Sequence, residues 1–540
     1  MGRAERPAAP AEPAAPPSLP SPAGAVPFPV EPLDEHNREL LANVQPVGWR
    51  NPEPAARYHL VVLGAGTAGL VAAAGAAGLG ARVALVERHL MGGDCLNVGC
   101  VPSKALIRAA DAWHEARQAA ERFGGPAAAG TPSFAAAMER MRRLRAGLSP
   151  HDGAARFRGL GVDVFLGDGR FVARDAVEVA GHRLRFRRAV VATGTRPAVP
   201  TVAGLEEAGY RTNETLFDLT ELPRRLAILG AGPIGCEMAQ AFARFGSAVT
   251  LIERGSQILP REDADAAAIV AAALERDGVR LELGVELAAA RRAGAERLLE
   301  LRPAGGGGEH VRPGNGGGWR QLAVDEILVA TGRLPNVEGI DLEVAGISWT
   351  PRGVEVDDRL RTANPRVFAC GDVASPLRFT HAADAQARLV VQNALFFGRA
   401  KASALTIPWC TFTHPEIAHV GCNEHEARAR GLTVETLTVP LADNDRAVLD
   451  GETEGFLRLH LKRGTDVILG ATLVAAHAGD IIGEICLAMA RGIGLGAIAG
   501  VVHPYPTQAE VVKRAADTWR RGKLTPAVRR LLGGWFRLFS

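Results

Sequence analysis

Two distant stretches of the chain follow one pattern, and that repeat limits the fold more than any other feature. "HLVVLGAGTAGLVAAAGAAGLGARVALVERH" begins at His59 and "RLAILGAGPIGCEMAQAFARFGSAVTLIERG" at Arg225. In each, an aliphatic run enters G-x-G-x-x-G, a helical stretch follows to a glycine, and a second aliphatic run ends in glutamate. Gly64 to Glu87 and Gly230 to Glu253 cover the same number of positions. A duplicated βαβ unit is implied. A lone G-x-G-x-x-G means little, but a strand before, a helix after and an acid at this distance in both copies predict two dinucleotide sites. Gly64 and Gly66, like Gly230 and Gly232, let the backbone turn tightly and approach a pyrophosphate. Gly69 and Gly235 let helix and strand pack closely, and the helix N-terminus offers N–H groups to the anion. Glu87 and Glu253 are expected to accept hydrogen bonds from ribose hydroxyls. An acid at the second site disfavours a 2′-phosphate, so NADH is favoured over NADPH, with Arg254 next to it as the opposing feature.

At 540 residues the chain is too long for one core. The fold class expected is α/β: two nested Rossmann-like dinucleotide-binding domains plus a C-terminal α+β domain. "AVVATGTRP" near Thr193 and "EILVATGRLPN" near Thr331 read as strands ending in Thr-Gly turns, and "RVFACGDVA" as a strand ending at Asp372. They mark where the chain leaves, re-enters and closes the first domain, placed at 57–200 and 330–400, around a second domain at 201–329. The glycine-rich "PAGGGGEHVRPGNGGGW" reads as a hairpin tip in the inserted unit. Alternating strands and two helices occupy 401–522. Residues 1–56 open with "RPAAPAEPAAPPSLPSPAG" and read as an unfolded or extended Pro/Ala arm.

The charge balance, 62 basic against 59 acidic residues, argues against a nucleic-acid partner held by net charge. Seven cysteines without an apolar leader do not read as a secreted disulfide framework, and a reducing cytoplasmic compartment is expected. No uncharged apolar run reaches the roughly 20 residues needed to cross a bilayer.

The stretch "GGDCLNVGCVPSK", Gly92 to Lys104, puts Cys95 and Cys100 five positions apart. A metal clip needs further ligands, and the other cysteines form no second close pair, so no metal site is expected. Two inert thiols are the plainer alternative. A regular helix would hold such residues roughly 8 to 9 Å apart, beyond the roughly 7 Å limit for a disulfide, so the chain must be distorted between them. Gly99 permits that, and Pro102 suits the first turn of the helix that follows. The helix start and Lys104 would stabilise a thiolate at Cys100. Placed by the domain that holds the first dinucleotide, the pair reads as a redox centre.

G-G-x-C-x-N-x-G-C-x-P-S-K, two Thr-Gly turns, a second G-x-G-x-x-G and C-G-D together resemble the class I pyridine nucleotide-disulfide oxidoreductases, over roughly Arg57 to Trp519. The resemblance implies FAD at the first site, NADH or NADPH at the second, and a homodimer built on the third domain. It implies that Cys95 exchanges with substrate and Cys100 contacts the flavin. Lys104 would pair with Glu237 beside it, Gly169, Thr193, Gly194 and Asp372 would touch FAD, and Gly332 would approach the nicotinamide nucleotide. A solvated helix acid is the plainer reading of Glu237.

In "VVHPYPTQAE", the disulfide reductases of this family would have His-Pro-Thr and a later glutamate. Aligned on Pro506, Thr507 and Glu510, the acid/base position is held by Tyr505. A phenol with a pKa near 10 is a poor base at neutral pH, and His503 would need a shifted backbone to replace it. Tyrosine here is similar to the mercuric reductase branch, as are "SPHDGAARFRGLGVDVFLGDGRF" and "HAGDIIGEICLAMARGIG". That branch also has a vicinal cysteine pair near its end and a Cys-x-x-Cys metal-binding domain at its start, neither of which is in this sequence. The function expected is electron transfer from NAD(P)H through FAD and the cysteine pair to a thiophilic acceptor, a metal ion or small electrophile. A dihydrolipoyl dehydrogenase or other disulfide reductase is the rival enzyme, and a non-turnover metal-sequestering or redox-sensing flavoprotein the rival of another class. The amphipathic stretch 523–540, "TPAVRRLLGGWFRLFS" in its main part, is expected to dock on the protein or its dimer partner, with membrane-surface contact as the alternative.

Overall fold

A computed structural model of the chain describes residues 30–126, 128–305 and 320–539. The strands Tyr58–Leu63 and Val83–Glu87 are buried almost throughout, which suits parallel strands covered on both faces. They pair in parallel with each other and with Val162–Leu166 and His182–Val191. The helix Thr67–Gly78 makes the crossover between the first two. Beyond His182–Val191 the sheet continues as an antiparallel meander, Ala176–Val179 and Gly169–Ala173.

The second copy builds a parallel sheet of its own from Arg225–Leu229, Ala248–Glu253, Arg280–Leu283 and Glu326–Val329. Its crossover helix is Pro233–Phe245. The chain departs through Thr195–Pro197 and comes back through Arg333–Pro335, and these two short strands pair antiparallel. It then re-enters the first sheet as Val367–Ala369, parallel to His182–Val191. The second unit is therefore nested within the first. Strands Glu296–Pro303 and Arg320–Val324 pair antiparallel; the glycine-rich tip expected between them lies outside the described residues.

The third unit is a five-stranded antiparallel sheet: Trp409–Thr411, Glu416–Gly421, Ile468–Ala475, Phe456–Lys462 and Val434–Pro440, in that spatial order. The helices Ala478–Arg491 and Glu510–Gly522 pack on it, burying Ile482, Ile485, Val511, Val512 and Ala515.

The expectation of an arm over residues 1–56 is corrected in its second half. Glu35–Val44 is a helix whose N-cap Asp34 accepts from the amide of Asn37. Leu40 and Val44 are wholly buried in the core of the first domain. Arg142 pairs with Asp34, and Arg145 donates to Asn37 Oδ1 at 2.7 Å. Trp49 Nε1 donates to the carbonyl of Val164, and Asn51 exchanges two hydrogen bonds with the backbone of Leu166. The Pro/Ala stretch that suggested the arm lies in residues 1–29, outside the described ones.

Candidate active site

Both glycine motifs close in the same way. At Gly64, φ is +99°, and a Cβ would lie 2.3 Å from the carbonyl oxygen of Ala192; at Gly230, φ is +98°, and a Cβ would lie 2.6 Å from that of Ala330. A Cβ on Gly69 would meet the Gly64 oxygen at 1.8 Å, and one on Gly235 the Gly230 oxygen at 1.9 Å. These glycines are steric necessities of the turn. Gly66 and Gly232 cap their helices without a side-chain hydrogen bond, and Gly232 faces open space. The first-turn amides are thus presented to an anion, and both sites fit the pyrophosphate of a dinucleotide.

Glu87 and Glu253 do something the sequence did not suggest. Glu87 accepts from the amides of Ala65 and His89, at 2.6 and 2.8 Å; Glu253 accepts from those of Ala231 and Gly255, at 2.8 and 2.9 Å. Each carboxylate ties the end of the second strand to the glycine turn. Burial pushes Glu87 above the usual carboxylate range, against the pull of the two amides. Each oxygen keeps a second lone pair for a ribose hydroxyl. Arg254 is held by Glu286 at 3.1 Å.

The cysteine motif is seated directly on the first glycine turn. The amide of Gly92 donates to the carbonyl of Ala65 at 2.8 Å, and a Cβ on Gly93 would meet Gly66 Cα at 2.7 Å. Cys95 lies in the short helix Gly93–Asn97, and Cys100 opens the long helix Cys100–Phe123. The break at Val98 and Gly99 supplies the expected distortion. Gly99 has φ −131° and ψ −116°, and a Cβ there would lie 2.7 Å from the carbonyl oxygen of Asp94. Pro102 stands in the first turn of the long helix.

All seven cysteines are free thiols in the structure. The Cys95 thiol donates to Cys100 sulfur, and that bond is the largest cause lowering Cys100 to about 6. Thr380 and the Lys104 ammonium act in the same direction, against burial and Glu237. Cys95, giving up its hydrogen to Cys100 and shielded from water, is pushed up. Proximity and polarity thus divide the pair into a thiolate at Cys100 and a protonated thiol at Cys95. Thr380 Oγ1 is 3.4 Å from Cys100 sulfur and is the first residue of the helix Thr380–Leu395.

Lys104 Nζ pairs with Glu237 Oε2 at 2.7 Å and lies 4.5 Å from the centre of the Phe412 ring. The other oxygen of Glu237 accepts from the amide of Phe412 at 3.0 Å. Glu237 is only 5 % exposed, so the solvated-acid reading is corrected. One buried carboxylate joins the cysteine-bearing helix, the helix of the inserted unit and the third sheet.

The remaining expected residues cluster where the inserted unit leaves and returns. Thr193 Oγ1 donates to the carbonyl of Asn336, whose Nδ2 donates back to the Thr193 carbonyl. Gly194 is left-handed at φ +67°, and its carbonyl accepts from the Asn336 amide. Thr195 Oγ1 donates to Asp372 Oδ2 at 3.0 Å, and burial raises Asp372. The carbonyl of Gly332 accepts from Ala198, and its own Cα faces open space. Gly169 opens the strand Gly169–Ala173, where a Cβ would strike Val86 at 2.7 Å. Packing against the neighbouring strand accounts for that glycine by itself.

Tyr505 and Glu510 are not brought to the cysteine pair within one chain. The Tyr505 hydroxyl donates to Asp445 Oδ2 at 3.0 Å. Glu510 starts the helix Glu510–Gly522, and the side chain bound to Tyr505 is Asp445. The Asp445 carboxylate raises the Tyr505 phenol, with Glu510 adding a smaller push. His503 turns inward, its Nε2 at 3.0 Å from Glu484 and its side chain 7 % exposed, so it does not substitute for the missing histidine. Thr380 and Asp445 were missed. No local pattern marks either, because each meets its partner from a distant part of the chain.

Residues 58–387 match the family model for the pyridine nucleotide-disulphide oxidoreductases, and residues 407–516 the model for their dimerisation domain, which indicates a homodimer. A mercuric reductase of Streptomyces lividans is 36% identical over 472 residues, 86% of this chain and 96% of that one. A dihydrolipoyl dehydrogenase of Thermus scotoductus is 34% identical over 473 residues, 85% of this chain and 97% of that one. Among solved structures, the Cu(II) complex of the HOCl-induced flavoprotein disulfide reductase RclA from Escherichia coli superposes with a TM-score of 0.73 at 29% identity, over 84% of this chain and 98% of that one.

Proposed function

This chain belongs to the pyridine nucleotide-disulphide oxidoreductases, a FAD-dependent family using a pyridine nucleotide as co-substrate, and from that premise we propose that it reduces a thiophilic acceptor at the Cys95/Cys100 pair. The observation that carries this reading is the divided pair itself, a thiolate-favouring Cys100 beside a protonated Cys95, seated on the first glycine turn. The chemistry a bound FAD would supply is two-electron transfer from NAD(P)H to sulfur. Gly64, Gly66, Gly69, Glu87, Lys104, Thr193, Gly194 and Asp372 would hold it. Gly230, Gly232, Gly235, Glu253 and Gly332 would hold the nicotinamide nucleotide. NADH is the preferred donor in this reading, because a carboxylate at Glu253 would repel a ribose 2′-phosphate and Arg254 is engaged by Glu286.

The chain's own part is sulfur chemistry. Two electrons break the Cys95–Cys100 disulfide; Cys100 leaves as thiolate and Cys95 takes up a proton. Lys104 and Thr380 hold the negative sulfur, and Glu237 fixes Lys104. An acceptor with high affinity for sulfur then meets two adjacent thiols, which soft cations favour. The relatives named mercuric reductase and the Cu(II) complex of RclA agree in kind with such an acceptor.

Tyr505 argues against the dihydrolipoyl dehydrogenase reading. Bound to Asp445, it keeps its proton at neutral pH and acts as a hydrogen-bond donor. Tyr505→His is expected to raise lipoamide reduction by about a hundredfold, the lower range of a positioned general base. Steady-state rates with NADH and lipoamide check this. An unchanged rate would mean that access, not the base, limits disulfide substrates.

The first glycine turn supplies a second expectation. Gly69→Ala forces the helix off the turn and is expected to yield protein largely free of FAD, an overpacking cost of about 1–3 kcal/mol falling on the cradle. Gly235→Ala is expected to retain FAD while raising the KM for NADH. The ratio of flavin to protein absorbance distinguishes the two variants, and full flavin content in Gly69→Ala would contradict the assignment of the first site.

A further inference from the structure

We propose that the helix Pro526–Leu538 docks the enzyme on an anionic lipid bilayer, lying in the headgroup layer. Thr525 caps it by accepting from the Val528 amide, and Pro526 sets its first turn, directly after the helix Glu510–Gly522 packs on the third sheet. None of its residues is buried. Leu531, Trp535 and Leu538 are 75, 57 and 80 % exposed, and Phe536 and Phe539 are similarly bare. At helical spacing Val528, Leu531, Leu532, Trp535, Leu538 and Phe539 form one apolar face, with Arg530 and Arg537 opposite and Arg529 at its edge. Of the two docking partners expected for this segment, its own chain does not bury it, and the dimer partner is the rival outcome of the test below.

Charge selects the occupant. After Asp517 there is no acidic residue among Arg520, Arg521, Lys523, Arg529, Arg530 and Arg537. A continuous apolar face with indole and phenyl rings, backed by a cationic face, suits the boundary between acyl chains and anionic headgroups. The dimerisation-domain match ends at residue 516, before this helix begins. Thirteen residues make a helix of about 20 Å, short of the roughly 30 Å hydrocarbon core, so it lies on the bilayer and does not cross it. Among the described residues no helix is long and apolar enough to span a membrane.

The test is co-sedimentation of the full FAD-loaded chain with phosphatidylcholine vesicles, with and without phosphatidylglycerol. Binding is expected only with the anionic lipid and is expected to fall as salt rises. Arg529→Gln/Arg530→Gln/Arg537→Gln is expected to weaken it by about a hundredfold, each basic residue near such a surface counting for roughly fivefold. Leu531→Ser/Trp535→Ser is expected to abolish it while leaving the dimer and NADH oxidation in solution unchanged. The proposal is overturned if the wild-type chain stays in the supernatant with anionic vesicles at low salt. It is equally overturned if Leu531→Ser/Trp535→Ser turns the dimer into a monomer, which would make this face a subunit contact.

Discussion

With Cys100 replaced by serine, the FAD-loaded enzyme reduced anaerobically by NADH is expected to show no long-wavelength absorption band, and acceptor-dependent turnover is expected to fall by about a thousandfold or more, the scale on which loss of a reacting nucleophile acts. The wild-type enzyme is expected to show that band, because Cys100 is the sulfur the site keeps ionised. A thiol given a hydrogen bond by Cys95, then by Thr380, with an ammonium nearby, is lowered to about 6 even against burial. The band is therefore expected to grow as the pH rises through about 6 and to fade below it. Serine cannot ionise in this range and cannot close a disulfide with Cys95. A band that survives in Cys100→Ser would transfer the role to Cys95.

Lys104→Met is expected to act on both the sulfur and the fold. Removing the ammonium withdraws one of the influences lowering Cys100, so the pH midpoint of the band is expected to rise above about 6. It stays below the value of a free thiol, because the Cys95 hydrogen bond is the larger cause and remains. The same change leaves Glu237, 5 % exposed, with only the Phe412 amide as hydrogen-bond partner among the described residues. Stranding one half of a buried ion pair costs about 3–5 kcal/mol, and the partial exposure of Lys104 places this pair at or below the lower end. Thermal unfolding is expected at lower temperature, with part of the loss recovered in Lys104→Met/Glu237→Gln, where no lone charge is buried. A variant as stable as wild type, with an unmoved midpoint, would mean that the pair neither ties the three units together nor tunes the sulfur.

The two nested units were legible because their glycines answer local demands. A Cβ at Gly64, Gly69, Gly230 or Gly235 would overlap a backbone oxygen within the same turn, so the requirement is written at fixed spacing. The break between Cys95 and Cys100 was legible for the same kind of reason, since the reach of a disulfide is incompatible with a continuous helix. Lys104 and Glu237 lie 133 positions apart and could be paired only through the resemblance. Thr380 and Asp445 had neither a local signal nor a family motif. The helix Glu35–Val44 was missed because a single turn-capped segment beside a Pro/Ala stretch is marginal alone. Its burial of Leu40 and Val44 against the first domain is what makes it stable. Glu87 and Glu253 were expected as ribose ligands; the duty the structure gives them is in the turn, through hydrogen bonds from the amides of Ala65 and Ala231.

The central claim is that the cysteine pair delivers electrons from a nicotinamide nucleotide to a thiophilic acceptor. Oxidation of NADH and of NADPH by the purified dimer, with and without Hg(II) in excess small thiol, tests it most directly, with Cys95→Ser alongside. The account predicts Hg(II)-dependent oxidation, faster with NADH, that disappears in Cys95→Ser. Turnover that persists in Cys95→Ser, or wild-type protein that oxidises neither nucleotide with Hg(II), would contradict it.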